Sequence, residues 1–243
     1  MKYVDFVTVM LFALTTAPLS AQTNAPRIHS AEGPRADYSR VVNDGSARNA
    51  ADTRMEHFFS NAITDSAPTV ATPTITSTAI TVDASSPREG LPTTTADIVF
   101  VGRVTSSSGF IVPDHTGVYS EFTVTVSEVL KQNVGVPIAT GAAVVVTRKG
   151  ADVYFPSGNV RRVIFNGIGF PKEQTDYVMF LQRVQLPSVT AYDVYTAYEL
   201  TDGKVYALDD GAQFDQYEGA DAATFLANVR TQIAAVQNNQ TTP

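Results

Sequence analysis

VYSEFTVTVSEVLK, residues Val118 to Lys131, alternates apolar and polar side chains along most of its length. In an extended chain Phe122, Val124 and Val126 share one face, while Thr123, Thr125 and Ser127 share the other. This is the pattern of a half-buried strand in an antiparallel sheet. At Glu128-Val129-Leu130 two adjacent apolar residues follow a charge, which predicts a β-bulge or a coil toward the far side of a small barrel.

The flanking segments extend the same reading. Upstream, Ala96 to Ser106 opens as an apolar run on both faces, the mark of a central strand, with a bend or close approach at Gly102. Ser106 to Gly117 is dense in turn residues and is expected to be a loop, although it carries Phe110, Ile111 and Val112. Downstream, Ala142 to Lys149 is a strand rich in valine, and Asp152 to Phe155 with Val160 to Phe165 reads as a hairpin around Pro156-Ser157-Gly158-Asn159. Asp176 to Val184 sets Tyr177, Met179 and Leu181 against Val178 and Phe180, so it needs cover on both faces. Tyr192 to Leu200 and Lys204 to Leu208 form a second hairpin at Thr201-Asp202-Gly203, since Asp-Gly favours the tight turns of hairpins. Alternation places Tyr192 and Tyr198 on one core face and leaves Tyr195 as the candidate for exposure. Finally Phe225, Leu226, Val229, Ile233 and Val236 recur at helical spacing, with Asp221 as a candidate N-cap. The expected fold is mainly β: an OB-like antiparallel barrel over residues 93–213, with a C-terminal amphipathic helix and tail over 214–243.

The region before the barrel is of a different kind. Met1 to Ala21 has Lys2, an apolar run from Phe6 to Leu14, Pro18 and a small residue at Ala21, the layout of a secretory signal peptide too short to span a bilayer. Residues 22–92 are rich in Ala, Ser, Thr and Pro and read as a disordered spacer. Met55, Phe58, Phe59, Ala62 and Ile63 suggest a short helix over 46–63. The chain is therefore expected to be exported, to the periplasm or the medium, with no transmembrane segment once the signal is removed.

Composition narrows the chemistry. Across 243 residues, 17 Lys and Arg stand against 24 Asp and Glu, giving a formal charge of −7, so no basic field exists to gather nucleic acid. Cysteine is absent, which removes disulfides, thiolate nucleophiles and thiolate metal sites. The histidines are His29, His57 and His115, and no Gly-x-Ser-x-Gly elbow accompanies them. No catalytic set, cofactor or metal site is expected. Asp209-Asp210 reads as a turn, and Arg148-Lys149 with Arg161-Arg162 as charges paired with carboxylates on a solvated face.

Several strands resemble a known family. Ala96-Asp97-Ile98-Val99-Phe100-Val101-Gly102-Arg103-Val104 is similar to the first strand of netrin-like domains, the OB-type barrels shared with tissue inhibitors of metalloproteinases. Val129-Leu130-Lys131 resembles the exit of that family's second strand, with Gln132 in place of the usual Gly. Tyr177-Val178-Met179-Phe180-Leu181, after Gly169-Phe170-Pro171, is similar to a later one. The resemblance spans about Ala96 to Leu208 and is closest to exported bacterial proteins with such a barrel. It implies the fold; the inhibitors' zinc-chelating N-terminal cysteine has no counterpart here. The expected function is non-catalytic binding of a protein or peptide partner in the cell envelope or outside the cell. A carboxylate-dependent hydrolase, with Asp97, Glu121 or Asp176 near His115, and a structural envelope component are the alternatives. Because the loop after the first strand of an OB-type barrel borders its ligand groove, Phe110, Ile111, His115 and Tyr119 are the expected contacts.

Overall fold

The computed structural model describes residues 32–40, 52, 59, 62–65, 75–80, 88–132, 137–165, 167–185 and 190–240. The expected signal peptide over 1–21 and most of the short helix over 46–63 lie outside them. In chain order the strands are β1 (Arg35–Asp37), β2 (Ile75–Ile80), β3 (Ile98–Ile111), β4 (Val118–Gln132), β5 (Ala143–Lys149), β6 (Ala151–Tyr154), β7 (Val160–Phe165), β8 (Asp176–Gln185), β9 (Thr190–Thr201) and β10 (Lys204–Ala207). A single helical turn, α1 (Ala212–Asp215), and a long helix, α2 (Ala222–Gln240), follow β10.

Strands β3, β4, β5, β9 and β8 follow one another around a ring that closes where β8 pairs again with β3. All neighbours are antiparallel except β5 and β9, which meet in parallel. This is the arrangement of an OB-type barrel. The interior is filled as alternation requires: Phe122, Val124 and Val126 of β4 meet Ile98, Phe100 and Val104 of β3 and Tyr177, Met179 and Leu181 of β8. Thr125 and Ser127 face outward and are exposed. The break after Ser127 is a double irregularity. Val126 pairs with Gly102 and Glu128 with Val101, leaving Ser127 extra; Val129 pairs with Phe100 and Lys131 with Val99, leaving Leu130 extra. These bulges let a long strand coil around a narrow barrel.

The second face of β8 is covered as its pattern demands. Val178 and Phe180 pack with Val99, Tyr198 and Val205 against Phe225, Val229 and Ile233 of α2. Asp221 caps that helix, its Oδ1 accepting the Thr224 amide at 2.9 Å. Burying each of these large apolar side chains contributes roughly 1.5–3 kcal/mol. The Asp202-Gly203 turn has positive φ at both residues, 53° and 69°, and the β9–β10 hairpin follows.

Three sequence expectations change. Ser106 to Gly117 is not all loop: β3 runs on to Ile111, paired with Val118 to Thr123, and only the turn at 112–117 reverses the chain. Its serines have low strand propensity, but pairing with β4 outweighs it, and Glu173 accepts both the amide and the hydroxyl of Ser107 at 2.8 and 2.7 Å. Parts of the expected spacer belong to a second sheet, ordered β1-β6-β7-β2, in which β1 and β2 join the predicted β6–β7 hairpin in parallel. Such segments are held by main-chain hydrogen bonds, which a count of apolar side chains does not register. Lastly, Tyr192 and Tyr198 do not share a face. Phe180 pairs with Thr196 and Leu181 with Val194, so Tyr195 is an extra residue that inverts the alternation. Tyr192 packs on the barrel interior, while Tyr198 is buried under α2.

Among the described residues no helix is long and apolar enough to cross a membrane.

Candidate functional site at the barrel seam

The β5–β9 junction is the weak point of the barrel wall: a single register pair, Thr147↔Asp193, joins the two strands. Two local causes explain this. Beyond Lys149 the chain turns at Gly150, whose φ of 94° and close approach to the Val163 carbonyl exclude a side chain, and it leaves the barrel as β6. The remainder of the same β9 edge, from Tyr198 to Thr201, is taken by β10.

On β5, Val144 and Val146 point into the barrel, so Arg148 must point inward as well. Its side chain is 2% exposed and its Nη2 donates to Asp209 Oδ1; Asp209 itself is fully buried. The same carboxylate accepts Arg88 Nη1 at 3.1 Å and the Gly169 amide at 3.2 Å. Arg88 also donates from Nη2 to the Gly167 carbonyl at 2.9 Å, and its guanidinium lies 5.2 Å from the Phe214 ring centre. One buried carboxylate thus answers two guanidiniums. Arg148 Nε and Nη1 are buried with no hydrogen-bond partner. Burial pulls the Arg148 guanidinium below its ordinary value; Asp209 opposes that shift, and Arg88 adds to it.

Outside this cluster lies a cavity of about 290 Å³, lined by Arg88, Arg148, Lys149, Gln182, Asp193 and Tyr195 with Ile168 and Val194 among its apolar walls. Burial lowers the Lys149 ammonium and Asp193 opposes the shift. The Tyr195 ring is fixed by the bulge, with its hydroxyl accepting the Glu89 amide at 3.2 Å.

The loop predicted from sequence is built differently. Phe110 stacks on Tyr119 with ring centres 5.3 Å apart, and Tyr119, wholly buried, donates its hydroxyl to Asp52 at 2.9 Å. Ile111 is buried beside Val118 and Ile63. His115 has φ of 62°, presents its ring to the Tyr38 edge at 4.5 Å, and its carbonyl accepts the Ile63 amide at 2.9 Å. All four residues lie on the β3–β4 hairpin, and Asp52, Ile63 and Tyr38, from earlier in the chain, pack on Tyr119, Ile111 and His115. Ile111 and Tyr119 have no surface left to offer a ligand. Phe110 also lines a polar cleft of about 410 Å³ with Arg35, Arg40 and Ser107–Gly109.

Two of the three carboxylates considered with His115, Asp97 and Asp176, are held elsewhere, while Glu121 lies on β4 opposite Ser108 and Thr147. Asp97 accepts the Arg183 amide at 2.8 Å near the start of β3, the end far from His115, and Asp176 is 3.5 Å from Arg103. Arg162 does pair with a carboxylate, Asp152, at 2.8 Å across the β6–β7 hairpin. Arg148 also finds its carboxylate, but in the interior rather than on a solvated face. The seam escapes a sequence reading in which Arg148-Lys149 forms one surface patch and Asp209 a turn residue. The signal was present: alternation in Val144-Val145-Val146-Thr147-Arg148 sends Arg148 inward.

No protein-family model matches the chain, and no curated protein matches it in sequence.

Proposed function

We propose that this is an exported binding module, an OB-type barrel that engages a protein or peptide partner without transforming it. The observation that carries this reading is the opening between β5 and β9, where Arg88, Lys149, Gln182 and Tyr195 border a cavity joined to the barrel interior by Arg148. Pockets of this kind, partly apolar with a few fixed polar groups, are characteristic of ligand sites. Relationship to the netrin-like barrels is part of the proposal, supported by the ring order and by the bulged Val129-Leu130-Lys131 exit. Lys131 turns inward there, and its Nζ donates to the carbonyls of Thr93, Thr94 and Ala96 at 2.6–3.2 Å, tying down the entrance to β3. Export is supported by the signal-like Met1 to Ala21.

The test is affinity capture from envelope extract with the full mature chain, followed by titration of the captured partner. Lys149→Glu and Tyr195→Ala should each weaken binding about tenfold, the scale of one lost favourable contact. Phe110→Ala and His115→Ala should leave it within about twofold. Unchanged binding by the Lys149 and Tyr195 variants would refute the seam as the contact surface.

A further inference from the structure

We infer that the seam cavity receives a carboxylate. This rests on the binding reading above and specifies what is bound. Three observations converge on it. First, among the described residues Arg88, whose side chain is 25% exposed, and Arg148, 2% exposed, share the fully buried carboxylate of Asp209, which leaves the cluster with one positive charge in excess. Buried charge without a counterpart is costly, and an anion entering from the cavity would supply the missing partner. Second, Arg148 keeps Nε and Nη1 unpartnered and buried, and it lines the cavity. Charge-assisted hydrogen bonds from such donors are the strong ones. Third, Lys149 lines the same cavity, with the Asp193 carboxylate across the seam favouring its charged form.

The walls restrict the body attached to the anion. Ile168, Val194 and the Tyr195 ring line the same space, and a volume of about 290 Å³ is small for a ligand pocket. It fits a group of about one amino-acid residue carrying an apolar body. The ligand is thus the carboxylate of a small apolar acid, either the C-terminal residue of a peptide or a free acid of the same size. Arg148 and Arg88 receive the carboxylate, and Ile168, Val194 and Tyr195 receive its apolar body.

The experiment is calorimetric titration of the full mature chain at matched ionic strength. The probes are N-acetyl-glycyl-leucine, its C-terminal amide, isovalerate and inorganic phosphate. The acid dipeptide should bind at least about tenfold more tightly than the amide, and more tightly than phosphate. Isovalerate binding as well as the dipeptide acid would assign the site to free acids; weaker binding by isovalerate would assign it to peptide ends. Arg88→Gln is the informative variant, because it leaves the Arg148–Asp209 pair intact while removing the excess charge. It should reduce acid binding about tenfold or more with little change in amide binding. Arg148→Met is the second variant, used only if circular dichroism shows it folded. Equal affinity for acid and amide, equal or tighter binding of phosphate, wild-type acid affinity in Arg88→Gln, or no binding of any probe would each overturn the inference. In the last case, partner capture that still depends on Lys149 and Tyr195 would leave the binding module standing and remove only its carboxylate specificity.

Discussion

Asp209 is the residue on which the seam depends. Its carboxylate is fully buried and serves Arg148, Arg88 and the Gly169 amide. Removing one member of such a cluster leaves charge stranded in the interior, so Asp209→Asn should lower unfolding free energy by about 3–5 kcal/mol in urea. A loss below about 1 kcal/mol would mean that the guanidiniums reach water. Asp221 makes a different prediction. Hydrogen bonds from Thr224 hold its carboxyl below its ordinary value of 3.8, so its contribution is present above that pH and disappears as pH falls through the lowered folded value. Thermal melts of Asp221→Ala should therefore fall below wild type at neutral pH and converge with it in acid; a constant gap down to the lowest pH would contradict the cap.

The legibility of each element follows from what holds it in place. Strand β4 and both faces of β8 could be read from the sequence because side-chain burial fixes them, and burial leaves an alternating pattern. The same is true of α2, where Phe225→Ala and Val229→Ala should cost roughly 3–5 and 1–3 kcal/mol as their cavities open under Tyr198 and Phe180. Strand β1 left no such trace. Its backbone passes over Gly109, where an added Cβ would lie 2.6 Å from the Pro34 carbonyl oxygen. Gly109→Val should displace β1, and amide exchange at Tyr38, which donates to the Tyr154 carbonyl, should accelerate while barrel amides stay protected. Equal protection of Tyr38 in both proteins would contradict this packing. Tyr195 shows a further limit: one extra residue in β9 exchanges the faces of everything beyond it, and no local propensity announces the bulge. The candidate site was least legible because its members are far apart in sequence. Arg88, Arg148 and Asp209 meet only after the ring has closed.

At the scale of the molecule, two surfaces compete for the role of binding site, and the chain itself occupies one. Described residues before 66 contact the β3–β4 hairpin, with Asp52 on Tyr119, the Phe59 amide on the Thr116 carbonyl and Ile63 on His115, and Asp65 contacts Ser157 in the β6–β7 turn. The seam between β5 and β9 carries the cavity and the unpaired donors. Backbone amide chemical shifts of the full mature chain, followed during titration with N-acetyl-glycyl-leucine, distinguish the two directly. Perturbations centred on Thr147–Lys149, Ile168 and Asp193–Tyr195 are predicted; perturbations centred on the 112–117 turn, or none at all, would contradict the assignment.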